Sequence, residues 1–174
     1  ALTAFAQQPK GASGLIGHAQ QWLEAEDRDL RLGAAALVVE VLGDRRVLAA
    51  VADSPELLDY LSRILAEVEQ APRSAERSAT RRRLIASLPR TLSAVVTTAA
   101  AGDRGARWLE AECRRARHPN LRGVLSDAVI GLRGGSATVV EALRRALGES
   151  AKPLRDPSRL RKGTGRGKAS RPLR

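Results

Sequence analysis

Apolar residues recur through residues 12–150 at three- and four-residue spacing, the period of a helix with one buried face. Leu15, Ile16, Ala19, Trp22 and Leu23 form one stripe. Leu30, Ala34, Leu37, Val38, Val41 and Leu42 form a second, with Asp29 in the N-cap position and Gly43 just past the end. A short apolar turn, Val47 to Val51, leads to Ser54-Pro55-Glu56, which reads as an N-cap with proline at the first helical position. The helix it opens carries Leu57, Leu58, Leu61, Ile64, Leu65 and Val68 and stops before Pro72. Leu84, Ile85, Leu88, Leu92, Val95 and Val96 follow; Pro89 inside that stripe predicts a kink or two abutting helices. Asp103 is placed to cap a helix bearing Trp108, Leu109, Cys113 and Ala116. His118-Pro119-Asn120 breaks the chain before Leu121, Val124, Leu125, Ala128, Val129 and Leu132, a stripe ended by Gly134-Gly135. Ser136 caps the last helix, with Val139, Val140, Leu143 and Leu147 on one face. No stretch alternates with a period of two, so the pattern predicts an all-α body of seven or eight short helices.

Composition decides what fills the core. Aromatic residues are 2% of the 174 residues, namely Phe5, Trp22, Tyr60 and Trp108, so the interior is built from Leu, Val, Ile and Ala. A single cysteine, Cys113, excludes an intramolecular disulfide framework and supplies too few thiolates for a structural zinc or iron–sulfur site; it implies a reducing compartment, cytoplasmic or nuclear. No apolar run is long enough to span a bilayer, so no membrane partner is expected.

Splitting the charge by segment changes its meaning. The net charge of +11 first suggests a nucleic-acid-binding domain. Residues 1–72 carry 6 basic and 11 acidic side chains, giving −5, and residues 73–101 carry 6 and 1, giving +5. Residues 102–150 carry 9 and 6, giving +3, and residues 151–174 carry 9 and 1, giving +8. A nearly balanced helical domain (1–150) is thus followed by a basic tail (151–174). The tail's prolines, glycines and scattered Leu and Ala make no helical stripe, and the composition predicts disorder.

The sequence also repeats. Trp22-Leu23-Glu24-Ala25-Glu26 recurs as Trp108-Leu109-Glu110-Ala111-Glu112, 86 residues later. Each copy is followed by a break and a helix opening with Leu-Arg, Leu30-Arg31 and Leu121-Arg122. Half of 86 is 43, within the 40–47-residue period of two-helix repeats, and Tyr60-Leu61 near the midpoint opens a weaker unit. Asp27-Arg28-Asp29-Leu30-Arg31 with Ala34, Leu37, Val38, Val41 and Gly43 resembles the second helix of the HEAT/armadillo-type repeat family. Pro119-Asn120-Leu121-Arg122 with Ala128, Val129 and Leu132 resembles it again, whereas the middle unit departs, with Arg82-Arg83-Leu84 and Pro89. The resemblance implies an α-α superhelix, a solenoid of about three helix pairs; the alternative is a compact helical bundle of compositionally similar helices. It also implies Trp22, Tyr60 and Trp108 as buried inter-helix anchors.

Catalytic and cofactor chemistry finds little footing. His18 and His118 are a hundred residues apart, and no metal-ligand spacing occurs, so no metal or cofactor is expected. Cys113 falls on an apolar face and reads as core filler, and His118 as part of a solvated turn. The glycine-rich run Gly163 to Ala169 lacks the first glycine and the Ser/Thr of a phosphate loop. Some HEAT-type DNA alkylation-repair glycosylases pair tryptophan with a carboxylate on a basic concave face, which makes Trp108 and Glu112 candidates by resemblance; the competing reading has both tryptophans packing, with Glu26 and Glu112 solvated.

The candidate contact residues are basic. Arg73, Arg77 and Arg81 share one helical face, which Arg82 and Arg83 widen; Arg31 and Arg122 occupy matching repeat positions. The expectation is a non-enzymatic scaffold or adaptor domain that binds a protein partner through its repeat surface and forms the C-terminal piece of a larger intracellular scaffold. The alternative is non-specific nucleic-acid binding through the arginine patch and tail, with a repair glycosylase as the remaining enzymatic option. Neither basic segment holds an aromatic residue on which a base could stack.

Overall fold

The computed structural model describes residues 11–70, 77–98, 102–132 and 136–150. They form eight helices: α1 (Gly11–Trp22), α2 (Arg28–Leu42), α3 (Arg45–Val51), α4 (Glu56–Gln70), α5 (Ala79–Thr97), α6 (Gly102–Arg115), α7 (Pro119–Gly131) and α8 (Ala137–Glu149). Among the described residues there is no strand, as the absence of two-residue alternation predicts. None of these helices is long and apolar enough to cross a membrane. Arg73, Pro72, Gly134-Gly135 and the tail 151–174 lie outside the described residues.

Local signals set most boundaries, with informative shifts. Asp27, not Asp29, caps α2: its carboxylate accepts from the backbone N–H of Asp29 (2.8 Å) and Leu30 (3.4 Å), leaving Asp29 in the first turn. Val47–Val51 is a short helix rather than a turn, capped by Asp44 through the Arg46 N–H. His118 is the N-cap of α7, its Nδ1 accepting from the Asn120 N–H (3.2 Å), and Pro119 takes the first helical position. Pro89 neither breaks nor divides α5, which runs unbroken from Ala79 to Thr97. Packing along its whole length outweighs one lost backbone hydrogen bond.

α5 is the centre of the fold. It packs along α2 on one flank and α7 on the other, so α2, α5 and α7 make a consecutive row, and it also meets α6. Behind the row, α1 meets α4 and α6 meets α8, while no extensive packing joins α1 or α2 to α8. Two hydroxyls on α5 bond the row together: Thr91 donates to the Val39 carbonyl (2.8 Å) and Ser93 to the Ala128 carbonyl (2.6 Å). Beneath these helices lies one apolar core, contributed by all eight and built almost wholly of Leu, Val, Ile and Ala.

Tyr60 is the largest side chain in that core and is fully buried. Its hydroxyl has no hydrogen-bond partner, and burial pushes the phenol well above its ordinary pKa. An unpaired buried hydroxyl costs stability without compensation. Tyr60→Phe is therefore expected to leave stability unchanged or raise it by up to about 1 kcal/mol, whereas Tyr60→Ala should lose about 3–5 kcal/mol. Urea unfolding of the two variants checks both signs, and a clear loss in Tyr60→Phe would show that the hydroxyl is satisfied in solution.

Candidate functional site

The identical pentapeptides do not have identical structures. Trp22 is the last residue of α1, and Leu23–Glu26 form the turn that follows, whereas Trp108–Glu112 lie inside α6. The cause is the distance to the next cap. Asp27 directly follows the first copy, while residues 113–117 separate the second from the cap His118. Only the leucine keeps one role, since Leu23 and Leu109 are both core. Trp22 is 38% exposed and so is not the buried anchor that the repeat implies; Trp108 is half-buried, and only Tyr60 is fully enclosed.

Glu112 also departs from the solvated placement expected for it. It is 3% exposed and lies on the buried stripe of α6 with Gly105, Leu109 and Cys113. Trp108 Nε1–H donates to Ser62 Oγ (2.8 Å), and the Ser62 hydroxyl donates to Glu112 Oε1 (2.8 Å), tying α6 to α4. Arg115, one turn on, pairs with the other carboxylate oxygen. Burial is the main influence on this carboxyl and raises its pKa, while Ser62 and Arg115 partly offset that. The tryptophan and the carboxylate are thus bound into an inter-helix bridge, and neither lines the grooves at Pro89, at Ala106 or at Leu37. Cys113 beside them is core, and burial pushes its thiol to about 12.

The candidate arginines separate into different roles. Arg81 is 3% exposed and directs Nη2 to the Val68 carbonyl in the last turn of α4 (3.3 Å), so it is not part of an exposed patch. Arg83 pairs with Glu40 through two contacts, one of 2.6 Å, which holds the Glu40 carboxyl below its usual range. Arg77 and Arg82 are exposed. Arg31 donates to the Ala25 and Glu26 carbonyls (2.9 Å for Glu26) in the turn after α1 and lies 3.6 Å from Glu67. Arg122 donates to the Leu147 carbonyl in the last turn of α8 (2.8 Å).

Two of these contacts, those of Arg81 and Arg122, share a logic. The last carbonyls of a helix lack intrahelical donors and carry the negative end of its dipole, so a guanidinium is a favourable cap. Arg31, Arg81 and Arg122 each sit in the first turn of a row helix (α2, α5 and α7); Arg81 and Arg122 serve a neighbouring helix end, whereas Arg31 holds the loop carbonyls of Ala25 and Glu26 before its own helix. The middle helix of the row thus carries at Arg81 the same contact that Arg122 makes in α7. Arg104 acts similarly on the Ala52 carbonyl (2.6 Å), which sequence spacing does not reveal.

The open face of the row holds a groove of about 1270 Å³. Its lining is rich in small residues, Gly43, Ala86, Ala94, Gly131 and Ser93, with Pro89, Val41 and Thr97. Charges of both signs line it as well, Arg45 and Arg90 with Glu40, Asp44 and Asp127. Among the described residues Arg45, Arg90 and Asp127 enter no ion pair. None of the arginines singled out by the sequence lines it. Among the described residues no group of three or more His, Cys, Asp or Glu converges. No family model matches the chain, and neither a curated protein nor a solved structure does.

Proposed function

We propose that this chain is a non-enzymatic helical-repeat domain of the α-α superhelix type that binds a protein partner along the open face of α2, α5 and α7. The observation that supports the reading is the groove over these three helices, lined by many small side chains and by charges of both signs, of which Arg45, Arg90 and Asp127 enter no ion pair among the described residues. A peptide backbone or a helix can approach such a lining closely, while Arg45, Arg90 and Asp127 offer charge partners that set register. The repeat architecture draws support from the order of packing, α2 on α5 on α7, and from the first-turn arginine common to all three. A partner segment with both acidic and basic side chains fits this groove. Such domains serve as scaffolds or adaptors.

A photo-reactive residue placed at Ala86, an exposed groove position, tests this in cells that make the protein. The control position is Ala111, exposed on α6. Expected are discrete protein adducts from Ala86 only, lost in an Arg90→Glu variant. Adducts to nucleic acid, or equal yields from both positions, would count against a partner-specific groove.

Salt titration addresses the basic residues separately. With Arg81 buried and Arg83 paired, the exposed body patch reduces among the described residues to Arg77 and Arg82. Removing residues 151–174 is therefore expected to abolish most non-specific DNA or RNA binding. The accompanying loss of salt slope should be about 0.7–0.9 per phosphate neutralised. Unchanged affinity and slope in the truncated protein would return the weight to the nucleic-acid reading.

A further inference from the structure

We propose that the outer face of α2 is a self-association surface at which a second copy of this chain packs antiparallel about a two-fold axis. α2 is apolar on two sides. Leu32, Ala35, Ala36, Val38, Val39 and Leu42 fill the core, while Leu30, Gly33, Ala34 and Leu37 form a second stripe, at i, i+3, i+4 and i+7, that faces outward. A helix serving only the core needs one such stripe. Leu30 is 59% and Leu37 44% exposed, and Trp22, 38% exposed, stands beside them in a groove of about 730 Å³. This groove is distinct from the one over Pro89, so the proposal stands independently of the partner-binding reading.

Gly33, like Gly17 and Gly123, is a helical glycine that contacts among the described residues do not require, but it alone of these lies in the exposed apolar stripe of α2. It lies mid-helix, where glycine weakens a helix relative to alanine. A Cβ at Gly33 would meet only Thr80 Cγ2, at 3.7 Å, an ordinary contact. Among the described residues nothing requires its absence, whereas a second helix crossing closely here would. The stripe is also symmetric about the point between Gly33 and Ala34. Turning it end for end places Leu30 over Leu37 and the two small residues over each other, the self-complementarity that a two-fold interface needs.

The charges agree with that orientation. Among the described residues Asp29 and Arg83 are the charged side chains lining the groove. Asp29 lies toward the N-terminal end of the stripe, and Arg83 is held beside Glu40 at the other end. Antiparallel pairing brings each Asp29 toward the Arg83 of the second copy, and parallel pairing does not. One helix crossing with Trp22 at its edge is a small interface, so the association is expected to be reversible, with a Kd in the micromolar range.

Sedimentation velocity of the full chain from about 1 to 300 μM is the test, bracketing the micromolar Kd expected of an interface this small. The mass should rise from monomer toward dimer with concentration. Leu37→Glu should weaken association at least tenfold, and Asp29→Lys should weaken it more at low salt than at high salt. Gly33→Ala separates an interface from a packing role: its melting temperature should rise while its association weakens. A monomer throughout the range overturns the proposal. So does association unaffected by Leu37→Glu and Gly33→Ala, or association lost only when residues 151–174 are removed.

Discussion

Ser62→Ala is expected to cost about 2–4 kcal/mol, much for the loss of one hydroxyl. Ser62 is the middle of a three-residue bridge, accepting from Trp108 Nε1 and donating to Glu112 Oε1. Its removal leaves both an indole N–H and a buried carboxylate oxygen without that partner, and each orphaned group costs about 1–3 kcal/mol. In a chain of this size the loss corresponds to a melting-temperature drop of roughly 4–16 °C.

The effect should depend on pH, in a definite direction. Burial raises the Glu112 pKa in the folded protein and the Ser62 hydrogen bond lowers it, so deleting Ser62 raises it further. A carboxyl whose folded pKa lies above its unfolded value loses stability as pH rises through that interval. The Ser62→Ala penalty should thus be smallest below the unfolded glutamate pKa of about 4.3 and reach its full size above the folded pKa. Glu112→Gln, which keeps an acceptor for Ser62 and removes the charge, should flatten the profile over the same interval. Equal losses at pH 4 and pH 7 would show that Glu112 does not sense the hydroxyl.

This bridge also marks how far the sequence can be read. Helical spacing identified the helical segments, because a strip of Leu, Val and Ala at three- and four-residue intervals has one way to be buried. The cap position was legible at Ser136, although its hydroxyl contacts Thr138 Oγ1 and makes no capping hydrogen bond, and less so at Asp29, where two acids two residues apart compete and Asp27 takes the cap. The pentapeptide repeat was legible as a repeat but not as a structure. Composition cannot tell that Asp27 follows one copy at once while the second continues to Arg115. Glu112 carried a signal, since it lies in register with Gly105, Leu109 and Cys113, but its partner Ser62 is 50 residues away and no local rule finds it.

The arginines follow the same division. Their spacing placed Arg77 and Arg81 on one face, and spacing cannot say which face turns inward. Arg81 turns inward because the last turn of α4 presents the unmatched Val68 carbonyl beside it. Much of what reads as basic surface in the body is therefore internal wiring between helix ends. The groove over Pro89 was not legible at all. Proline marks an expected break, and only the packing of α2 and α7 along α5 turns it into part of a groove lining.

Gly105→Val, in α6, is expected to cost about 3 kcal/mol. Gly105 lies where α6 closes on α5: a Cβ there would stand 3.0 Å from the Val95 carbonyl oxygen and 3.1 Å from Val95 Cγ1. The oxygen belongs to a helix held by α2 and α7, so it cannot retreat as a flexible side chain would. Adding two further methyl groups forces α6 outward and pulls on the core it shares with Cys113 and Leu109. Gly123 provides the control, because it is also mid-helix, in α7, and a Cβ there meets nothing within 4 Å. Gly123→Ala should instead gain about 0.5–1 kcal/mol from helix propensity alone. Opposite signs for two glycine substitutions, read by thermal or urea unfolding, would locate the close approach of α6 to α5. A tolerated Gly105→Val would mean that α6 stands farther from α5 in solution, and that the row is braced from α4 through Ser62 and Glu112 instead.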